Sequence, residues 1–163
     1  MWTDLAQSCE IGYETNKGNR QNSTISDITF KNITVLHNFH KPVISIHNSD
    51  DATVQDVNYK NIIVEDAEMG QGDAGANKQL IDFTIMASNW SSTSKRGHIK
   101  NISVDNVKVL SGKSAPSRII GFDKEHMIEN VNIKGLNILG KDIKSAKDAN
   151  LTTNEFVSGV FFK

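Results

Sequence analysis

Polar side chains recur at corresponding positions of short apolar segments along the chain. They are Glu10 and Glu14, Ser45 and His47, Asp82, and Arg118. In a β-strand, alternate side chains point to opposite faces, so apolar neighbours such as Ile11, Tyr13, Ile44 and Ile46 would point inward and the polar residues outward. Neighbouring strands lie about 4.8 Å apart. The pattern predicts a polar stripe that binds an extended polar ligand, or else a solvated face whose charges compensate one another.

Three aspartates are candidate catalytic groups: Asp50, Asp51 and Asp82. Glycoside hydrolysis uses two carboxylates about 5 to 9.5 Å apart. Adjacent side chains in a strand diverge, however, which disfavours Asp50 and Asp51 as a catalytic pair. The sequence Asn-Ser-Asp-Asp at residues 48–51 is also typical of a turn. The assignment of a catalytic residue therefore stays open.

Trp90 lies in a Gly, Ser and Asn-rich segment that predicts a loop. An exposed indole can stack on the apolar face of a sugar ring, so Trp90 joins the binding candidates. The alternative is that it caps the apolar core. The five histidines lack metal-ligand spacing, and no phosphate-binding glycine loop is present. We predict no metal and no cofactor.

Composition excludes several classes of function. The formal net charge is −1, with no basic block to neutralise a phosphate backbone, so nucleic acid is not an expected partner. No apolar run is long enough to span a membrane, and the chain as given shows no signal peptide. Cys9 is the single cysteine and is expected to be a small buried hydrophobe.

Four segments share one pattern: residues 25–36, 54–65, 99–110 and 128–139. Each alternates apolar and polar residues and is interrupted by a turn residue, Asn32, Asn61, Asn106 or Gly135, which tolerates a left-handed backbone. Asp27, Asp56, Asn101 and Asn130 form a second column. A shorter apolar strand lies between the copies. We predict an all-β fold, a right-handed single-stranded parallel β-helix of about four coils, in one domain spanning residues 1–163.

Short strings within residues 6–14, 27–33, 43–48 and 57–62 resemble the polygalacturonase-type glycoside hydrolases, the pectinase family. In that family a G-H-G-x-S-I-G-S strand precedes an R-I-K strand and an N-V-x-Y-x-N-I repeat. Ile11-Gly12 matches the first, and Ser45-Ile46-His47 occupies the R-I-K position. The resemblance implies the C-terminal part of a longer pectin-lyase-like solenoid, from a secreted, extracellular or periplasmic bacterial protein that acts on a polysaccharide or oligosaccharide.

Departures from the family pattern change the functional expectation. The family's catalytic aspartates lie upstream of the I-G-S strand, and Ser45 and His47 replace cations that would contact a uronate carboxylate. The resemblance therefore implies a polysaccharide-acting protein that lacks the upstream catalytic aspartates. Two alternatives remain: a non-catalytic carbohydrate-binding module, and a structural or adhesion solenoid that self-associates through open strand edges.

Overall fold

The computed structural model describes residues 2–3, 7–16, 23–71 and 77–163. These residues form β-strands joined by turns and loops, and none of them is helical. In chain order the strands are β1 (Trp2–Thr3), β2 (Cys9–Tyr13), β3 (Thr24–Ser26), β4 (Thr29–Val35), β5 (His37–Asn38), β6 (Ile44–Asn48), β7 (Thr53–Ala67), β8 (Ile81–Ile85), β9 (His98–Gly112), β10 (Ser117–Ile120), β11 (Ile128–Ile138), β12 (Lys141–Ile143), β13 (Leu151–Thr153) and β14 (Val157–Phe162).

The described strands belong to two sheets. The four repeated segments lie side by side in a nine-stranded sheet, where β7 pairs with β3 and β4 on one side and with β9 on the other, and β9 pairs with β11. The short strands form a five-stranded sheet in the order β13, β10, β8, β6, β2. Residues at the same place in the repeat are register partners, as in Val57 with Ile102 and Ile102 with Val131.

The prediction of a right-handed single-stranded parallel β-helix, a pectin-lyase-like solenoid of about four coils, is wrong. The strands form two separate sheets, and the larger sheet is mixed because β12 runs antiparallel to β11. The reversal occurs at Leu139 and Gly140, whose φ angles are 52° and 83°. Two successive positive φ values make the tight turn that joins antiparallel strands. The sequence pattern contained no clear sign of this turn, because a leucine seldom adopts a positive φ.

The turn residues of the repeat behave as predicted. Asn32, Asn61, Asn106 and Gly135 all have positive φ, between 54° and 62°. Their amides form a ladder, since Asn61 donates to Asn32 and Asn106 donates to Asn61, each at 3.0 Å. The second column also has positive φ, and its members bond to one another: Asn101 donates to Asp56 and Asn130 to Asn101.

One apolar core lies between the inward faces of the two sheets. Tyr59 is fully buried there and stacks between Phe30 and Phe83, with ring centroids 5.1 and 5.9 Å away. Each fully buried large apolar side chain contributes about 1.5–3 kcal/mol to folding. Cys9 is fully buried as predicted, and burial raises the pKa of its thiol to about 11. Among the described residues, no helix is long and apolar enough to cross a membrane.

Candidate functional site

The predicted polar residues meet on the face of the five-stranded sheet opposite the core. Glu10 is the register partner of Ser45, Ser45 of Asp82, and Asp82 of Arg118. His47 lies two residues along β6 from Ser45, on the same face. Parallel pairing thus brings together side chains that are far apart in sequence.

Four of these side chains form a continuous charged chain, which we call the Glu10–Arg118 chain: Glu10, His47, Asp82 and Arg118. His47 Nδ1 is 2.7 Å from Glu10 Oε1, and His47 Nε2 is 3.0 Å from Asp82 Oδ2. Arg118 donates from Nε to Asp82 Oδ1 at 2.8 Å and from a terminal nitrogen to Asp82 Oδ2 at 2.7 Å. Bidentate pairing of this kind is strong and directional.

The hydrogen bonds determine the charge states of this chain. Burial opposes the imidazolium form of His47, but the bonds to Asp82 and Glu10 outweigh it and raise the pKa of His47. Burial likewise opposes the Asp82 carboxylate, yet His47 and Arg118 hold its pKa below the ordinary value. With both His47 nitrogens facing carboxylates, both donate as the imidazolium. The Glu10–Arg118 chain therefore alternates in charge and sums to zero.

The central residues of this polar face are closed off from solvent, whereas the Arg118 side chain at its edge is 33 % exposed. Ser45, His47 and Asp82 are buried, with at most 1 % of each residue exposed. Tyr13 stacks on the His47 ring with centroids 4.5 Å apart. The expectation of an exposed stripe at these three residues is wrong: Tyr13 covers His47, and the Asp82 carboxylate is buried because it is paired with His47 and Arg118.

Tyr13 itself was expected to point into the core, and that prediction is also wrong. Strict alternation from Ile11 would place it inward. Gly12 intervenes with a φ of +136°, and a Cβ at that position would lie 2.3 Å from the His47 carbonyl oxygen. The glycine lets the strands approach closely and breaks the alternation, so the Tyr13 ring lies against the outward His47.

An open pocket of about 310 Å³ lies beside this stack. It is lined by Gln7, Tyr13, Glu14, Lys41 and Trp90. Trp90 is 66 % exposed, which is the largest exposure among the described large apolar side chains. Of the sequence candidates, Glu14 and Trp90 meet here.

Sequence reasoning missed Gln7, Tyr13 and Lys41 as pocket residues. Lys41 precedes Pro42, just before β6 begins. A cation next to the start of a strand was the one sequence feature that could have indicated Lys41 as a pocket residue. Gln7 offered no signal. Gln7 precedes β2 and Tyr13 ends it, whereas Lys41 precedes β6 and Trp90 follows β8, so no local spacing links the pocket residues.

Asp50 and Asp51 lie in the turn after β6, as the Asn-Ser-Asp-Asp string predicted. Asp50 Oδ1 accepts from the backbone N–H groups of Ser92 and Thr93, at 2.7 and 2.8 Å. Asp51 accepts from the Asn16 side-chain amide. Neither aspartate lines the pocket, and Asp82 is held by His47 and Arg118.

No family model matches the chain, and no curated protein or solved structure is significantly similar to it. Over the part of the chain that the structure describes, no three His, Cys, Asp or Glu side chains are grouped so that they could hold a metal ion.

Proposed function

We propose that this protein binds an oligosaccharide or polysaccharide in the pocket beside Trp90, without hydrolysing it. The observation that carries this proposal is the convergence of an exposed indole, a tyrosine ring and three polar side chains on one open pocket. Flat aromatic surfaces match the apolar faces of sugar rings, and the phenol can hydrogen-bond hydroxyl groups.

The polar lining suits a ligand with many hydroxyl groups. Gln7 carries an amide, Glu14 a carboxylate and Lys41 an ammonium group, so the wall contains both donors and acceptors. The pocket volume, about 310 Å³, is small for a ligand site. The pocket would therefore hold a short section of a longer glycan and leave the rest in solvent.

Binding without hydrolysis is favoured because the candidate catalytic carboxylates are engaged elsewhere. Glycosidases need an acid and a base or nucleophile on either side of the scissile bond. Asp82 is neutralised by two cations, and Asp50 and Asp51 are turned to backbone and amide donors. Of the described pocket lining, Glu14 is the one carboxylate. These contacts favour the carbohydrate-binding alternative over a polygalacturonase-like hydrolase.

The test is affinity electrophoresis followed by calorimetry with polygalacturonan, rhamnogalacturonan and neutral glucans. At least one glycan should bind the wild-type chain, and Trp90→Ala should weaken that binding at least tenfold, about 1.4 kcal/mol. Trp90→Phe should retain part of the affinity because a flat ring remains. Leu110→Ala is the control, since Leu110 is also exposed but belongs to the nine-stranded sheet.

Two results would contradict the proposal. Wild-type affinity that Trp90→Ala leaves unchanged would remove the pocket as the binding site, and indifference to every glycan would remove carbohydrate binding. Reducing-end assays on the same mixtures should show no release of sugar. Sustained release by wild type that is lost in Glu14→Gln would instead identify a hydrolase.

A further inference from the structure

We infer that Asp50 is a positioning residue that holds the two walls of the pocket in place. One wall carries Tyr13 and Glu14, at and just after the end of β2, and the other is the loop of residues 86–97, which carries Trp90. The expectation that losing Asp50 weakens ligand binding rests on the proposed function. The expectation that Asp50 links the two walls does not depend on any ligand.

The Asp50 carboxylate holds the Trp90 wall. Its Oδ1 atom accepts from Ser92 N at 2.7 Å and from Thr93 N at 2.8 Å, only two and three residues after Trp90. Amide bonds to a carboxylate are charge-assisted and stronger than neutral ones. Trp90 N also donates to Ser88 Oγ at 3.1 Å, which fixes the turn within the loop.

The same turn holds the Tyr13 wall. Asp50 N donates to Thr15 Oγ1 at 3.1 Å, and the adjacent Ser49 donates from Oγ to the Tyr13 carbonyl at 2.6 Å. Arg96, at the far end of the Trp90 loop, donates to the Ser49 carbonyl at 2.7 Å. Asp50 therefore bonds to one wall through its backbone and to the other through its side chain.

The burial of Asp50 shows why its hydrogen bonds to the Trp90 loop matter. Asp50 is fully buried. A buried carboxylate is costly unless hydrogen bonds compensate it. The compensating bonds made by Oδ1 all come from the Trp90 loop. An apolar residue in the same turn could pack, but it could not hold that loop. None of these Asp50 hydrogen bonds involves a residue of the Glu10–Arg118 chain. The attachment of the Trp90 loop by Asp50 is therefore separate from the ion pairs of that chain.

The experiment uses a Trp2→Phe background, so that Trp90 is the single tryptophan. Asp50→Ala should lower the fluorescence anisotropy of Trp90, increase tryptic cleavage after Lys95 at least tenfold, and weaken binding of the glycan that wild type binds at least tenfold. Asp50→Asn should recover part of each effect, because its carbonyl oxygen can still accept from both amides.

Asp148→Ala is the control. Asp148 Oδ1 accepts from Lys141 Nζ at 2.8 Å and its Oδ2 accepts from Ser145 Oγ at 2.7 Å, and Asp148 does not line the pocket. It should leave all three measurements at wild-type values. Should Asp50→Ala fail to fold, Thr15→Val tests the Tyr13 wall: it removes the bond from Asp50 N together with the bond that Thr15 Oγ1 donates to Asn48 Oδ1, and Thr15→Ser, which keeps the hydroxyl, is expected to restore wild-type values.

Unchanged anisotropy and cleavage in Asp50→Ala would overturn the inference, whatever the ligand result. A looser loop with unchanged glycan affinity would also overturn the positioning role. A looser loop in a protein whose wild type binds no glycan would support the link between the walls while the proposed function fails.

Discussion

At the residue scale, the charge of His47 depends on its two neighbouring carboxylates. Glu10 and Asp82 face its two ring nitrogens, Tyr13 stacks on its ring, and Arg118 reaches it through Asp82. Removing one partner from a buried charge pair usually costs more than the pair contributes, because the other charge is left uncompensated. The stability of the fold should therefore depend on the charge of His47.

The free energy of unfolding should depend on pH through His47. Its pKa is raised in the folded chain above the ordinary value of 6.5, so its contribution is fully present below about pH 6.5 and is lost as pH rises through the raised value. The pKa of Asp82 is lowered from 3.8, so its contribution is lost only as pH falls through that lowered value. Urea titrations should show the free energy of unfolding decreasing as the pH rises above about 6.5.

His47→Gln is the control variant for this pH dependence. Glutamine can hydrogen-bond but cannot take up the proton, so most of the decrease above about pH 6.5 should disappear. An equally steep decrease in His47→Gln would assign the effect to other groups.

At the scale of the element, the long strands are bent at fixed positions by residues with positive φ. Asp56 and Asn61 in β7 correspond to Asn101 and Asn106 in β9, and all four have φ between 54° and 56°. This conformation costs a residue with a Cβ about 1–2 kcal/mol, while Asn and Gly adopt it more readily. The repeated turn residues therefore keep the register of neighbouring strands as well as their shape.

Asn61→Ala should lower the free energy of unfolding by about 1–2 kcal/mol, because alanine has the Cβ without the side-chain amide. Asn61→Gly should cost less, since glycine tolerates the backbone but loses the bonds to Asn32 and Asn106. Asn58→Ala, at an exposed position of the same strand, is the control. Chemical denaturation measures all three, and a glycine variant as unstable as the alanine variant would argue that the amide ladder, not φ, dominates.

At the scale of the whole molecule, the inward faces of the two sheets share one core. The core cluster contains β6 and β8 residues from one sheet and β7, β9 and β11 residues from the other. A strand in either sheet would lose its apolar cover if the other sheet separated. The two sheets should therefore unfold together.

Ile46→Ala in the five-stranded sheet and Ile102→Ala in the nine-stranded sheet should each lower the free energy of unfolding by about 2–5 kcal/mol, because each leaves a cavity in the core. Tryptophan fluorescence and far-ultraviolet circular dichroism should follow one coincident transition in both variants. Ile63→Ala, at an exposed position, should have a small effect. Separate transitions for the two probes would contradict unfolding as a single cooperative unit.

The sequence by itself determined the local features of this protein. Alternating apolar residues specified strands, and Asn32, Asn61, Asn106 and Gly135 specified turns with positive φ, because both signals depend on backbone geometry within a few residues. The repeats also placed Ser45, Asp82 and Arg118 in register, since equivalent residues of parallel strands pair.

Only the tertiary structure decided how the sheets are arranged and where the pocket lies. The turn at Leu139 and Gly140 made the larger sheet mixed, and Gly12 turned Tyr13 onto His47. Asp50, a candidate acid in the sequence, became the anchor of the Trp90 loop. The positions of Tyr13 and Asp50 depend on contacts between segments far apart in the chain, which leave no local spacing, whereas the turn at Leu139 is local and went unrecognised because leucine seldom adopts a positive φ.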